Sequence, residues 1–271
     1  VFPPMRGGIF YEHGHRLLAS GVGTLTLFYL LAVWRRGVGQ RLYAALGLSL
    51  VVVQALLGGL TVMMRLPPEV SIAHLGTSML YFAWTLGANL MVQPMQPSPL
   101  RAVPRRLLYV ASAGVYLQVL LGAVVRHRGA SMRCGYDAVL CLGRALPGDG
   151  LQWLQTSHRL LALLVAGLVL VATLPVIKQA RSQGRRGLRQ LGIAAHALVC
   201  SQVLMGVLVI KTGVNLHVVT THLALGALLW GCMVLLSLSC GAPSVARRDR
   251  RAAATEHAAL GAQPHEPSGA C

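Results

Sequence analysis

The stretch 152–177, QWLQTSHRLLALLVAGLVLVATLPVI, has the length and composition of a transmembrane helix. It exceeds the roughly 20 apolar residues that an α-helix needs to cross a hydrocarbon core of about 30 Å. Arg159 is its one charged residue, and His158 lies near its beginning. A polar side chain that far inside an apolar segment is a candidate for function.

Six further stretches have the same character, so we predict an all-α integral membrane protein with seven transmembrane helices. Hydrophobic residues make up 55% of the 271 residues and charged residues only 11%, which excludes an ordinary soluble domain. The connecting loops are short, so neighbouring helices are expected to run antiparallel. The predicted spans are 13–34, 42–63, 70–92, 107–126, 152–177, 188–210 and 217–239.

The positions of the arginines predict which side of the membrane each loop occupies. A net charge of +17 suggests nucleic-acid binding in a soluble protein, but here the charge is concentrated in alternate loops. The positive-inside rule places those loops in the cytoplasm, so we expect a lipid bilayer as partner and no nucleic acid. The clusters are Arg35, Arg36 and Arg41; Arg101, Arg105 and Arg106; Lys178, Arg181, Arg185, Arg186 and Arg189; and Arg247, Arg248, Arg250 and Arg251.

An internal repeat relates the two halves of the chain. In the second half of the chain, span 107–126 comes before the repeated segments. In the first half, no corresponding span comes before residue 12. We therefore expect an eight-helix parent of two pseudo-symmetric four-helix bundles, of which this sequence lacks the first helix. The matching segments are HRLLA at 15–19 and 158–162, QALLG at 54–58 and QVLMG at 202–206, and AHL at 73–75 and THL at 221–223.

The repeat and the spans together divide the chain into five parts. We expect two membrane bundles joined by a cytoplasmic linker and flanked by two polar segments. The parts are an extracytoplasmic segment 1–11, an N-terminal half-bundle of three helices 12–92, a linker 93–106, a C-terminal four-helix bundle 107–240 and a disordered cytoplasmic tail 241–271.

Four histidines in duplicated positions are predicted to bind haem iron. Each lies a few residues inside a span that enters from the non-cytoplasmic side, so all four lie at similar depth. Pairing within each half joins His15 to His74 and His158 to His222, and two parallel helices can then ligate one macrocycle from opposite faces. The alternative for each histidine is a structural hydrogen bond to a neighbouring helix.

Glu12 lies three residues before His15 on the same helical face, and we predict that it is catalytic. The second half has Gln155 at the matching position, so this asymmetry assigns the chemistry to the first half. A carboxylate beside a haem can relay protons or position water. An acid placed at a helix N-terminus by the helix dipole is the alternative.

Arg16 and Arg159 each follow the first histidine of their half. A guanidinium matches a carboxylate in a bidentate geometry, so we expect both to contact haem propionates. The alternative is that both are arginines whose charged ends reach the membrane interface.

Cys134 and Cys141 share the outer loop 127–150, where an oxidising compartment favours a disulfide. Their spacing is not typical of a zinc site.

The motifs, in this order, resemble those of the haem A synthase family. The resemblance covers the first residues to about 240, and it lies in the order of the motifs rather than in any one of them. It rests on GIFYEHGHR at 8–16, GGLTV at 58–62, LPP at 66–68, AHL at 73–75 and the cysteine-bearing loop 126–141.

The resemblance implies an oxidoreductase that converts haem O to haem A by oxidising a ring methyl to a formyl group, for use in cytochrome c oxidase. It implies that Glu12, His15 and His74 serve the substrate haem O, and that His158 and His222 hold haem b, which passes electrons. The Arg, Ala and Gly bias of the composition favours the cytoplasmic membrane of a bacterium over a mitochondrial inner membrane, and the positions of the arginines place both haem sites toward the extracytoplasmic side. Haem O synthase and oxidase assembly factors are the expected protein partners.

Two other functions would use the same histidines. A dihaem b-type electron-transfer protein would bind both haems without turning either over, and a haem transporter or chaperone would release intact haem. The difference between Glu12 and Gln155 favours the enzyme, because electron transfer alone does not require it.

Overall fold

The computed structural model describes residues 8–92, 100 and 104–241, and these residues confirm the all-α membrane fold. The predicted tail and parts of the predicted N-terminal segment and linker lie outside the described residues. Six of the described helices are long and apolar enough to cross a membrane, as a multi-pass protein requires. The helices are α1 Gly8–Val33, α2 Val38–Met63, α3 Pro68–Val92, α4 Arg105–His127, α5 Gly150–Ser182, α6 Arg186–Lys211 and α7 Leu216–Gly241.

Helix α3 has 25 residues, but no stretch of it that is long enough to cross a membrane reaches the mean hydropathy of the six candidate spans. Several of its hydroxyl groups donate to its own backbone, including Thr77 to the carbonyl of Ala73 and Thr85 to that of Phe82. The helix packs against α2, α4 and α7. Protein therefore covers much of this helix, and several of its hydroxyl groups are hydrogen-bonded within it.

The last four helices form a closed ring, which we call the four-helix ring. Each of α4 to α7 packs against the next, and α4 packs against α7. Helices α5 and α7 therefore occupy opposite corners. The first three helices form a three-helix arc, in which α1 and α3 both pack against α2.

The core of the four-helix ring combines small and large apolar side chains. Ala111 and Ala172 are fully buried and let helices approach closely, while Val169, Met233 and Leu236 fill the interior. Other apolar residues lie on the outside, where they can contact lipid. Leu18 and Leu25 on α1 and Leu163 and Leu164 on α5 belong to this outer surface.

Two aromatic side chains join the arc to the ring. Trp230 of α7 donates from its indole nitrogen to the carbonyl of Met79 at 3.1 Å, and the Tyr116 hydroxyl of α4 donates to the carbonyl of Gly76 at 3.3 Å. Their ring centres lie 5.3 Å apart. These bonds fix α3, which carries His74, against the helices of the second half.

The loop between α4 and α5 is closed by the predicted disulfide. Cys134 and Cys141 are bonded, with their Cα atoms 4.3 Å apart. Asp149 then begins α5, because its carboxylate accepts from the backbone N–H groups of Leu151 and Gln152. Its second oxygen accepts from the Arg133 guanidinium at 3.1 Å. The loop is therefore anchored to the first turn of α5.

The charge of Asp149 should make stability depend on pH. The backbone N–H of Gln152, with help from Arg133, lowers the pKa of the Asp149 carboxyl below its usual value. A lowered folded-state pKa stabilises the fold above the unfolded pKa of about 3.9, and that contribution is lost as the pH falls through the folded-state value. Asp149→Asn should therefore melt below wild type at pH 6, with a smaller difference at pH 3. The same difference at both pH values would contradict this role of the charge.

Candidate functional site

The four predicted histidines lie at one end of the helices that carry them. They are the eighth residue of α1, the seventh of α3, the ninth of α5 and the seventh of α7. At 1.5 Å per residue, each lies about 9–12 Å along its helix from the residue at which the helix begins. Their positions along the helix axes therefore match.

The structure brings His15 and His74 together. Their ring centres lie 6.4 Å apart and their planes are inclined by 76°. Two imidazoles that bind one metal ion from opposite sides, each through a bond of about 2 Å, have ring centres about 6 Å apart. His15 is exposed and His74 is partly buried, and the His74 Nδ1 has no hydrogen-bond partner in the described part of the chain. The pair therefore fits a metal bound between two histidines.

His158 and His222 lie on α5 and α7, at opposite corners of the four-helix ring. They are close enough to interact electrostatically. The Nδ1 of His222 is buried and lacks a hydrogen-bond partner among the residues described. A haem iron needs two protein ligands at most, since the macrocycle supplies the rest. This pair suffices, although the described residues contain no cluster of three or more metal-binding side chains.

Glu12 forms an ion pair with Arg16, one helical turn further along α1. Arg16 Nη2 donates to Glu12 Oε1 at 2.6 Å, and both side chains are more than half exposed. The two predicted site residues thus bind each other. Both lie on the first turns of α1, next to His15.

Arg159 is partly buried, and not all of its guanidinium nitrogens have hydrogen-bond partners among the described residues. Its Nη1 donates to the carbonyl of Leu140 at 3.3 Å, and Asp137 of the same loop attracts it electrostatically. Its Nε and Nη2 atoms are buried without a hydrogen-bond partner within the described ranges. A buried guanidinium with unused donors can bind a carboxylate.

A sequence model of the cytochrome oxidase assembly protein family matches residues 6–234, which include all four histidines and both loop cysteines. The chain belongs to the cytochrome oxidase assembly protein family. The resemblance to haem A synthases drawn from the motifs is thereby confirmed at the level of the family.

Individual members of the family match over most of their length. Heme A synthase of Geobacillus kaustophilus is 28% identical over 269 residues, which cover 94% of this chain and 82% of the relative. That of Geobacillus thermodenitrificans is 28% identical, with 90% and 77% covered. That of Macrococcus caseolyticus is also 28% identical, with 84% and 79% covered.

Gln155 occupies the position in the second half of the chain that matches Glu12 in the first half. It has a structural role. It is 3% exposed, its Oε1 accepts from the Cys134 backbone N–H at 2.8 Å, and its Nε2 donates to the carbonyl of Ser131. It therefore holds the disulfide loop against α5. Glu12 and Gln155 thus differ in more than charge, because Gln155 also holds the disulfide loop in place.

Three glutamines contact the histidines and were not predicted from the sequence. Gln54 and Gln202 were visible only as members of the repeat, and Gln118 was not singled out. A glutamine four residues before a glycine, at the middle of an apolar span, was the available signal. The contacts join Gln54 to His74, Gln118 to His158 and Gln202 to His222.

Gln155→Leu should destabilise the protein, because it leaves the buried N–H of Cys134 and the carbonyl of Ser131 without partners. An unsatisfied buried group costs about 1–3 kcal/mol, so we expect a loss of roughly 2 kcal/mol or more in the free energy of unfolding. Denaturant unfolding in detergent measures it. Gln152→Leu is the matched control, because the Gln152 side chain accepts from an exposed group, the Gly148 N–H. Equal losses in both variants would refute the anchoring role of Gln155.

Proposed function

We propose that this protein is a haem A synthase, which oxidises a methyl group of haem O to a formyl group and so makes haem A for cytochrome c oxidase. The observation that carries the proposal is the His15–His74 pair, at a separation that suits one metal ion, with Glu12 on the same helix one turn away. The names of the relatives support it. The reaction makes this protein an oxidoreductase.

We assign the substrate haem O to the three-helix arc. His15 and His74 would bind its iron and so hold the haem macrocycle between α1 and α3. Glu12 would then lie at the outer edge of this site and act on protons during oxidation of the methyl group. Arg16, which binds Glu12, would hold that carboxylate in place and contact a propionate.

We assign haem b to the four-helix ring, where His158 and His222 would hold its iron. When bound, this iron-containing cofactor supplies one-electron transfer. The buried, unpartnered Nδ1 of His222 and the unused donors of Arg159 support the assignment, since a haem presents both a metal and carboxylates. Arg159 would bind a propionate beneath the disulfide loop.

The disulfide supports an extracytoplasmic position for both sites. Cys134 and Cys141 lie in the loop that precedes α5, at the end of the molecule that holds the four histidines. Disulfides persist in oxidising compartments outside the cytoplasm. The arginine-rich loops lie at the other end, so we propose the bacterial cytoplasmic membrane. Haem O synthase and oxidase assembly factors would be its protein partners.

A dihaem electron-transfer protein is the second candidate. The Glu12–Arg16 ion pair favours it, because such a pair at the surface of a helix needs no catalytic role. Chromatography of acid-extracted haems separates the two functions. In a host that makes haem O but no haem A, the synthase yields haem A or its hydroxylated intermediate, whereas the electron-transfer protein leaves haem O unchanged.

Glu12→Gln should leave haem O bound but lower its conversion by about 100-fold or more, the usual contribution of a general acid or base. The haem A to haem O ratio in the same host measures this loss. Glu69→Gln is the matched control, because Glu69 is also an exposed acid in an ion pair, with Arg128, on a neighbouring outer turn. Wild-type haem A levels in Glu12→Gln would remove Glu12 from the mechanism.

His158→Ala should abolish the low-spin haem b spectrum, because it removes one of the two proposed axial ligands. Optical and electron paramagnetic resonance spectra of the purified protein test this. His196→Ala is the matched control, since His196 also lies inside a helix but bonds Thr173 at 2.8 Å. An unchanged spectrum in His158→Ala would refute the assignment of haem b to the four-helix ring.

A further inference from the structure

Three of the four histidines lie against a glycine of the preceding helix. In each case a glutamine precedes that glycine by four residues, a spacing that places both on one helical face. That face contacts the histidine of the next helix. The groups are Gln54 and Gly58 with His74, Gln118 and Gly122 with His158, and Gln202 and Gly206 with His222.

The imidazole approaches the glycine more closely in two of these groups than in the third. A Cβ added at Gly122 would lie 3.1 Å from Cε1 of His158, and one added at Gly58 would lie 3.1 Å from Cε1 of His74. Both distances are shorter than ordinary carbon contacts, which are about 3.5–4.0 Å. At Gly206 the corresponding distance is 3.6 Å, which is an ordinary contact. Only the first two glycines therefore leave no room for a methyl group beside the ring.

Gln118 restricts how His158 could retreat from a larger residue on α4. Its Nε2 donates to the His158 carbonyl at 2.9 Å, so the backbone of α5 is hydrogen-bonded to α4 beside the histidine. The two helices also pack against each other, with the fully buried Ala111 and Ala172 in their shared core. A methyl group at position 122 would therefore displace the His158 ring, by rotation about its side-chain torsions, rather than the whole helix.

We propose that Gly122 is a positioning residue, whose lack of a side chain sets the orientation of the His158 imidazole and so the geometry at which it binds haem iron. The inference rests on the proposed function, because it takes His158 as a ligand of haem b. Nε2 and Nδ1 of His158 lie 3.6 and 3.9 Å from the same added Cβ, on either side of Cε1. A side chain at this position would press on the corner between the two nitrogens and displace both, and one of them must bind the iron. Gly58 has the same relation to His74 in the proposed haem O site.

The orientation of an axial imidazole can be measured on the haem itself. The g values of a low-spin ferric haem with two imidazole ligands depend on the angle between the two ring planes. Contacts outside the ligand shell that orient a ligand also affect how tightly the metal is held. Rotation of the His158 ring should therefore change both the spectrum and the retention of haem b.

Electron paramagnetic resonance of purified Gly122→Ala and Gly206→Ala tests the proposal. The proteins are made in a host that lacks haem O, so that the result does not depend on conversion of the substrate. Gly122→Ala should shift the low-spin g values of haem b and lose haem to an excess of haem-free myoglobin about tenfold faster than wild type. Gly206→Ala is the matched control and should equal wild type in both measurements, because its added Cβ makes an ordinary contact.

The neighbouring glycines of α2 extend the test to the three-helix arc. In a host that makes haem O, Gly58→Ala should shift the g values of the haem bound by His15 and His74 and leave those of haem b unchanged. Among the described residues, no heavy atom lies within 4 Å of a Cβ added at Gly59. Gly59→Ala brings the same gain in helix propensity and should keep wild-type spectra. Equal shifts in both variants would show an effect of the helix rather than of the contact, and would overturn the extension to the arc.

Two results for haem b would overturn the proposal. They are unchanged g values in Gly122→Ala, and equal shifts in Gly122→Ala and Gly206→Ala. If Gly122→Ala is recovered without haem, circular dichroism and size-exclusion chromatography decide between two roles of the glycine. A helical, monodisperse protein supports the positioning of His158, whereas an unfolded or aggregated one overturns it, because the glycine then serves the packing of α4 against α5.

The proposed function fails in a different way. A wild-type protein without low-spin haem b would refute the haem assignment, and this inference with it. A wild-type haem b whose spectrum and retention are the same in Gly122→Ala would overturn only the positioning role.

Discussion

A polar group inside a lipid bilayer must find its partner within the protein, because no water is available to replace it. Most hydroxyl groups of this bundle meet that constraint by donating to the carbonyl three or four residues earlier in the same helix. Ser112 and Thr173 are buried examples, with distances of 2.9 and 2.8 Å. The helices can therefore carry polar residues without losing their packing.

The polar atoms that do not meet the constraint are concentrated around the histidines. In the described part of the chain they include nitrogens of His74, His222 and Arg159 and the oxygens of Gln54 and Gln118. Unsatisfied groups of this kind are costly and call for a ligand or a functional explanation. A haem offers a metal to imidazole and carboxylates to guanidinium, so one type of ligand satisfies the requirements of both side chains.

The ring architecture explains how such a ligand can be held. Helices α5 and α7 occupy opposite corners, so their histidines face a common interior without the helices touching each other. Helices α1 and α3 both pack against α2 and also contact each other, through the Thr26–Tyr81 hydrogen bond at 2.6 Å and the rings of His15 and His74. The glutamine-bearing helices lie between the histidine-bearing ones, so a single helix sets the spacing and also supplies a glutamine that contacts a histidine.

The sequence by itself determined the spans, the repeat, the equal depth of the histidines, the loop disulfide and the resemblance to the family. These features depend on composition, order and rise per residue, which are local properties. It did not predict that Glu12 pairs with Arg16, that Gln155 anchors the disulfide loop, or that Gln118 lies beside His158. A helix that is apolar on all sides has no amphipathic stripe to show which face is inside. Only the packing of the helices decides which side chains meet.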